Sequence, residues 1–334
     1  MFEKSRFVII FLVLAAIFSW VFFIRQDSNK DNSVVLGYTE TSGSLPLFIA
    51  QEKGFFADKS VKVELKKFQD GQKINDAILA KKIAGGGLTA IDIIFAAQSE
   101  IGGDTAKIIA MKIENENQPI LELISGNSTN ITSIEGLEGK TIGYFPATPA
   151  VKLWSQEILK SHRVDIDKVH MVPSSASVLL PALKSGQFDA ISTISPLSTA
   201  AKTQRIGRSL NEDQGLIAKS IGINPFPQSA IILSADFQNN QKVDANKIIS
   251  AIDKAIDFIR KNPEDAKEVL ERYLSEQQRS LIPHIRIDNY WKSSEIQADK
   301  LEAYLNFLLG KGILDRKFEL DKIIIKQRIV PPLD

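Results

Sequence analysis

The chain has 334 residues, 44% of them apolar and 24% charged, with a formal net charge of +1 and no cysteine. That length holds two domains with real cores, and the composition is globular. The near-zero charge excludes nucleic-acid binding through bulk electrostatics. The missing cysteines exclude disulfides, thiolate catalysis, Cys-based metal sites and an acylated N-terminal cysteine.

Residues 7–24, FVIIFLVLAAIFSWVFFI, carry no charge. At about 1.5 Å per residue they reach roughly 27 Å, near the ~30 Å hydrocarbon core of a bilayer. Lys4 and Arg6 precede the run, and Arg25, Asp27, Lys30 and Asp31 follow it. The positive-inside bias places residues 1–6 in the cytoplasm and the rest of the chain outside. A cleaved signal peptide is the competing reading. No A-x-A-like site closes the run, which favours an uncleaved single-pass transmembrane helix. Residues 25–33 read as a polar tether.

Strand and helix patterns then alternate, which predicts an α/β architecture. Residues 34–37 form a β-branched strand, and residues 45–53 a helix that stops at Gly54. Residues 61–68 alternate strictly and read as a strand, and residues 72–82 as an amphipathic helix. Gly85-Gly86-Gly87 reads as a flexible turn, since no Gly-Lys-Ser/Thr follows as a phosphate loop requires. Residues 91–95 (IDIIF), 107–111 and 118–124 read as strands, and residues 127–132 as a polar turn. A fresh strand opens at residues 141–144, and helix 150–160, strand 169–173, helix 178–184, strand 188–193 and helix 196–204 follow. Residues 216–221 read as a short strand, 224–227 as a rigid linker and 229–234 as a strand. The remainder is helical at 245–261, 263–274 and 294–309. The layout predicts two α/β lobes, the second inserted into the first. Lobe 1 takes residues 34–125 and 228–334 and lobe 2 residues 126–227, with crossings near 122–130 and 222–228. A ligand would sit between them, where strand C-terminal loops face a cleft.

Five phrases in this order carry a resemblance: Gly37-Tyr38-Thr39 with Leu45-Pro46-Leu47 and AQEKGFF at 50–56; VKVEL at 61–65; IEGLEGKTIG at 134–143; LKSGQFDA at 183–190; and FIRKNPEDA at 258–266. Together they resemble the periplasmic substrate-binding proteins of nitrate, sulfonate and taurine ABC transporters. That superfamily is shared with the pyrimidine-precursor synthases of thiamine biosynthesis. The resemblance covers residues 34–314. It implies the two-lobed periplasmic-binding-protein fold of type II, here preceded by the N-terminal transmembrane helix. The chain departs from the family in three places. GGGLTAID at 85–92 replaces the usual ASGxxD phrase, Ile194-Ser195-Pro196 replaces an aromatic and an acid before proline, and a membrane helix stands where many members use a lipidated cysteine.

The candidate ligand-binding residues lie in the predicted cleft loops. Tyr38, Thr39, Glu40, Thr41, Ser42 and Ser44 form the first, where hydroxyls and free N–H groups ahead of a helix suit a small polar ligand. The bland alternative is that Ser44 or Thr41 simply caps the helix. A desolvated Glu40 would repel an anion by several kcal/mol. It points outward, or else the ligand is cationic or zwitterionic. Gln69, in Gln69-Asp70-Gly71, closes the second strand in what reads first as a turn. Gln98 and Ser99 stand for the third loop. Tyr144, either an aromatic wall or core, and Thr148, either a ligand contact or a cap before Pro149, belong to lobe 2. Ser174, Ser175 and Ser195 are their counterparts there. His162, His170 and His284 are far apart in sequence, so neither a zinc site nor a Ser–His triad is expected.

These readings predict a non-enzymatic extracytoplasmic solute-binding protein, monomeric, without cofactor or metal and without nucleic-acid binding. It would sit on the cell membrane through its N-terminal helix, closing by hinge motion on a small polar molecule such as a sulfonate or nitrate-like anion for delivery to an ABC permease. The alternatives are a membrane-tethered ligand sensor and an enzyme like the thiamine-pyrimidine synthases. That enzyme class, by resemblance, would use a cleft histidine, and His170 leads into a strand instead.

Overall fold

A computed structural model describes Ser33–Ile325 apart from Ala147, Pro149 and Asp213. The expected membrane helix at 7–24 and nearly all of the tether lie outside the described residues. Among the described residues, no helix is long and apolar enough to cross a membrane.

β1 (Val34–Tyr38) buries Leu36, while β2 (Val63–Lys67) leaves Glu64, Lys66 and Lys67 in water, as an edge strand should. β3 (Gly85–Ala90) corrects the expected glycine turn, and the helix Ile91–Ile101 corrects the expected strand at 91–95. The glycines are there for close packing. β3 runs between β1 and β10 (Phe226–Ser234). A Cβ on Gly85 would lie 2.3 Å from the Ile232 carbonyl oxygen, one on Gly86 2.6 Å from Ile74 Cγ2, and one on Gly87 2.9 Å from Leu47 Cδ1. Only bare backbone permits this approach. The helix that follows buries Ile91, Asp92, Ile93, Ile94 and Phe95, so its first turn is buried all round and shows no periodicity to separate it from a buried strand. Gly85→Ala pushes a methyl into the immovable backbone of β10. Urea melts should show a loss of about 1–3 kcal/mol, and an unchanged midpoint would contradict the packing account.

The first sheet has the order β11-β4-β10-β3-β1-β2, with β4 (Ala106–Glu114) and β11 (Asn289–Trp291) at one side. β1 and β3 are parallel, and β10 is antiparallel to both β3 and β4. The second sheet has the order β7-β6-β8-β5-β9. Its strands are β5 (Leu121–Gly126), β6 (Thr141–Tyr144), β7 (His170–Pro173), β8 (Ala190–Ile194) and β9 (Gly207–Ser209). The chain therefore leaves the first sheet at Glu114 and enters the second at Leu121, ahead of the crossing expected near 122–130. It returns through the helix Leu216–Ile221, which corrects the strand expected there, and re-enters at Phe226. Gly222, at φ 75°, ends that helix in a left-handed turn suited to glycine.

Helix Lys242–Lys261 packs a stripe of Ile248, Ile249, Ile252, Ile256 and Ile259 inward, an i, i+4, i+7 pattern that drives its docking. Helix Pro263–Tyr273 begins on proline, whose missing N–H costs nothing in the first turn. One apolar core runs through both layers, with Ile108 and Met111 of the first sheet and Ile142 and Tyr144 of the second in the same cluster as Trp154, Phe226 and Tyr304.

Candidate functional site

Among the described residues, a packed seam and a cavity both lie between the layers. Helix Ala150–Ser161 of the second layer lies against helix Ala298–Gly310, where Trp154 Nε1 donates to the Tyr304 hydroxyl at 3.0 Å. Phe226 meets both rings edge-on, at centroid distances of 5.6 Å and 4.8 Å. Asp92, in the first turn of its helix, accepts from Ala150 N at 3.2 Å, so a carboxylate of one layer caps a helix of the other. Burial holds the Asp92 carboxyl above the usual carboxylate range, opposed by the Thr148 hydroxyl and nearby N–H groups. Its Oδ1, like Thr89 Oγ1, Gln228 Oε1 and Ser198 Oγ, is buried without a hydrogen-bond partner.

The second region is a cavity of about 470 Å³ walled by both layers. Lys112, His284, Arg286 and Asp288 come from the first layer, and Glu122, Ser195, Thr199, Lys202, Thr203 and Glu212 from the second, with Gln118, Pro119 and Ile120 of the first crossing between them. Each wall holds an ion pair. Lys112 Nζ lies 3.0 Å from Asp288 Oδ2, both side chains almost out of water, and Lys202 Nζ lies 2.9 Å from Glu122 Oε2. Ser195 Oγ sits 3.3 Å from Thr199 Oγ1. Volume, two walls and converging polar groups are what a small-molecule site requires.

The first loop reaches this cavity indirectly. The Tyr290 hydroxyl donates to the Ser42 carbonyl at 2.6 Å and stands beside Asp288. Burial, with the Asp288 charge, keeps its proton bound far above the usual phenol range. Within the loop, Thr39 N donates to Ser44 Oγ at 3.1 Å and the Thr39 and Thr41 hydroxyls pair at 3.1 Å. Glu40 is turned to Lys67 at 2.7 Å. Thr39, Glu40, Thr41 and Gln69 border a separate open depression with Phe68 and Gln278. Tyr38 packs edge-on against Phe48 and Tyr273.

Of the expected site residues, Ser195 alone lines the two-walled cavity. Tyr144 is core. Thr148 sits at the Asp92 seam, with its oxygen 3.2 Å from Ala150 N. Ser175 is exposed and pairs with Ser177, and Ser174 N is bonded to the Tyr144 carbonyl. Gln98 and Ser99 lie inside the helix Ile91–Ile101, not in a loop. Gln98 is spent on the Gly103 carbonyl and Thr105, and Ser99 on the Arg316 carbonyl. The loop expected at these two positions is a helix for the same reason that residues 91–95 are not a strand. Sequence reasoning missed Lys112, Glu122 and Asp288. A signal existed: Lys112 interrupts the apolar run of β4 and Glu122 that of β5, and an ionisable group inside a buried strand needs a partner. Among the described residues, no cluster of His, Asp and Glu could hold a metal ion.

A family model described as NMT1/THI5 like matches residues 41–266. The chain belongs to that family. A relative from Haemophilus influenzae, named for thiamine biosynthesis, is 18% identical over 311 residues, covering 88% of this chain and 91% of its own. Among solved structures, this NMT1/THI5-like protein resembles the periplasmic aliphatic sulphonate-binding protein of Escherichia coli (14% identity, TM-score 0.69, 88% and 98% of the two chains). It also resembles the ligand-binding component of an ABC-type import system from Staphylococcus aureus (14%, 0.70, 88% and 97%). These likenesses show a two-sheet α/β fold of the periplasmic-binding-protein kind.

Proposed function

We propose that this protein is the solute-binding component of an ABC importer. The two layers act as lobes that close on a small polar molecule, with residues 115–120 and 222–225 as the flexing crossings. The observation that carries the reading is the cavity of about 470 Å³ with an ion pair on each wall, one from each layer. A solute held there touches both layers at once, so binding favours the closed arrangement. The partners on this reading are the solute and a membrane permease. The apolar run at 7–24 tethers the lobes to the outer face of the membrane, and alkaline carbonate extraction should leave the full chain in the membrane pellet. A released chain would contradict the tether alone.

Binding is tested by thermal shift of the full chain, solubilised in mild detergent, against sulfonates, nitrate, pyrimidines and amines. A compound at a hundred times its dissociation constant should stabilise the protein by about 2.7 kcal/mol. Lys112→Met should abolish that shift. Silence across the whole screen would overturn the solute-binding reading.

A further inference from the structure

Resting on the membrane tether of that reading, we infer that the first layer also docks on lipid: the end of its sheet where the chain enters is a seat for an anionic bilayer surface. Strand register gathers this end. β1 begins at Val34, and its Leu36 lies opposite Gly85 at the start of β3. β10 finishes there, with Leu233 opposite Gly85 and Ser234 opposite Ala106 of β4. The helices Gly71–Leu79 and Ile91–Ile101 run out toward the starts of β3 and β4, and the short helix Ala235–Asn240 leads from β10 into Lys242–Lys261. These helix ends carry three of the six large apolar side chains exposed among the described residues: Leu79, Ile101 at 55% and Val243 at 71%. Single exposed apolar residues need no explanation, whereas three gathered where the chain enters ask for a partner.

Lysines surround them. Lys81 Nζ lies 2.8 Å from Asp236, and Lys247 Nζ 3.1 Å from Asp244 and 3.4 Å from the Ser60 carbonyl, which ties the loop after Asp58 to this end. Asp58 is met by Lys254 at 2.8 Å. Lys59, Lys82 and Lys242 have no ion-pair partner among the described residues and leave the surface positive. On the Ile101 side the charges come nearer to balance, with Glu100 and Asp104 beside Lys107. Lysine stems reach headgroup phosphates while the apolar tips enter the acyl boundary. The occupant follows from the chain itself. Between the uncharged run at 7–24 and Val34 lie only residues 25–33, which span at most about 30 Å. With that run in a bilayer, the seat is held within reach of the headgroups, so a weak contact suffices. The solute cavity lies toward the other end of the sheet: Lys112 is six residues along β4 from Ala106 (112 − 106), about 20 Å at ~3.3 Å per residue. The seated layer keeps that cavity clear of lipid.

The chain has no cysteine, so a single introduced one reports its position cleanly. Val243→Cys, and Val178→Cys as an exposed control on the second layer, are each labelled with a polarity-sensitive fluorophore in the full chain. Each is reconstituted into vesicles of phosphatidylcholine alone or mixed with phosphatidylglycerol, with acrylamide on both sides of the membrane. In mixed vesicles the label at position 243 should be quenched about three-fold less than the label at 178, and its emission should shift to the blue. Lys82→Glu combined with Lys242→Glu, both at exposed positions, should restore full quenching at 243, as should high salt. A label at 243 as accessible as the label at 178 overturns the seat. Equal protection in pure phosphatidylcholine, or protection indifferent to the lysine reversals, overturns the anionic-lipid assignment. Protection that persists in detergent micelles and grows with protein concentration gives this surface to a second copy and overturns it too. Carbonate extraction separates the seat from the tether. A chain retained in the pellet with an accessible label loses the seat alone, and a chain released by carbonate yet protected on mixed vesicles loses the tether alone.

Discussion

Glu114→Ala is expected to cost about 2–6 kcal/mol, because it strips both crossings of a shared acceptor. Glu114 closes β4 and is fully buried. Its Oε2 accepts from Ile120 N at 2.7 Å, on the outgoing crossing. Its Oε1 accepts from Ala218 N at 3.0 Å, in the helix of the return. Alanine leaves two buried N–H groups unsatisfied, each worth about 1–3 kcal/mol. The same carboxyl sets a pH dependence. Burial outweighs four backbone N–H groups and raises its pKa from 4.5 to about 7. The folded protein thus keeps a proton that the unfolded chain has lost. This contribution to stability is full below pH 4.5 and disappears as pH rises through about 7, an effect on the order of 3 kcal/mol. Urea denaturation at pH 5 and pH 8 measures it, and Glu114→Gln should flatten the slope. Glutamine retains one acceptor but turns an amide N–H toward the other donor, so it also loses about 1–3 kcal/mol at pH 5. Equal pH slopes for the two proteins would refute this role.

Trp154→Ala should cost about 3–5 kcal/mol, the range for emptying a large aromatic from a core. Trp154 is among the largest fully buried side chains, and its ring is held by Phe226 and its N–H by Tyr304. Here the cost falls on the seam between layers, not within one. Trp154→Phe keeps an aromatic edge and removes the donor, leaving the deeply buried Tyr304 hydroxyl short of one bond, for about 1–3 kcal/mol. In a double-mutant cycle, adding Tyr304→Phe to Trp154→Phe should recover part of that loss, since neither polar group is then stranded. Strictly additive losses would mean that the Trp154–Tyr304 bond contributes nothing. Small-angle scattering should show the alanine variant more expanded than the parent chain, because the seam packs one layer on the other.

Much of the fold was legible along the chain. The alternation at 61–68, the stripe from Ile248 to Ile259 and the restart of strand and helix at Thr141 each follow from side-chain period, which is a local property. The errors share a cause. Residues 91–95 are buried without a break, and 216–221 span only six residues with just Leu216, Ile217 and Ala218 buried, so in neither does a period of two or of 3.6 survive to be read. The glycines at 85–87 look like a turn by propensity, and only the distance to β10, Ile74 and Leu47 makes them a strand.

The site was harder to read. Hydroxyl-rich loops drew the sequence argument to Thr39–Ser44 and Ser174–Ser175, yet the two-walled cavity is built on charges carried by strands, by the helix Leu197–Thr203 and by the segment leading to β11. Lys112 and Asp288 are 176 positions apart (288 − 112), and Glu122 and Lys202 80 apart (202 − 122). No local pattern pairs them. By itself the sequence determined the class of fold, the order of most elements and the family, because those rest on composition, period and short phrases. Only the tertiary structure decided where the polar groups converge, since register between strands and the packing of one layer on the other bring distant charges within 3 Å, and that is a property of the assembled sheets.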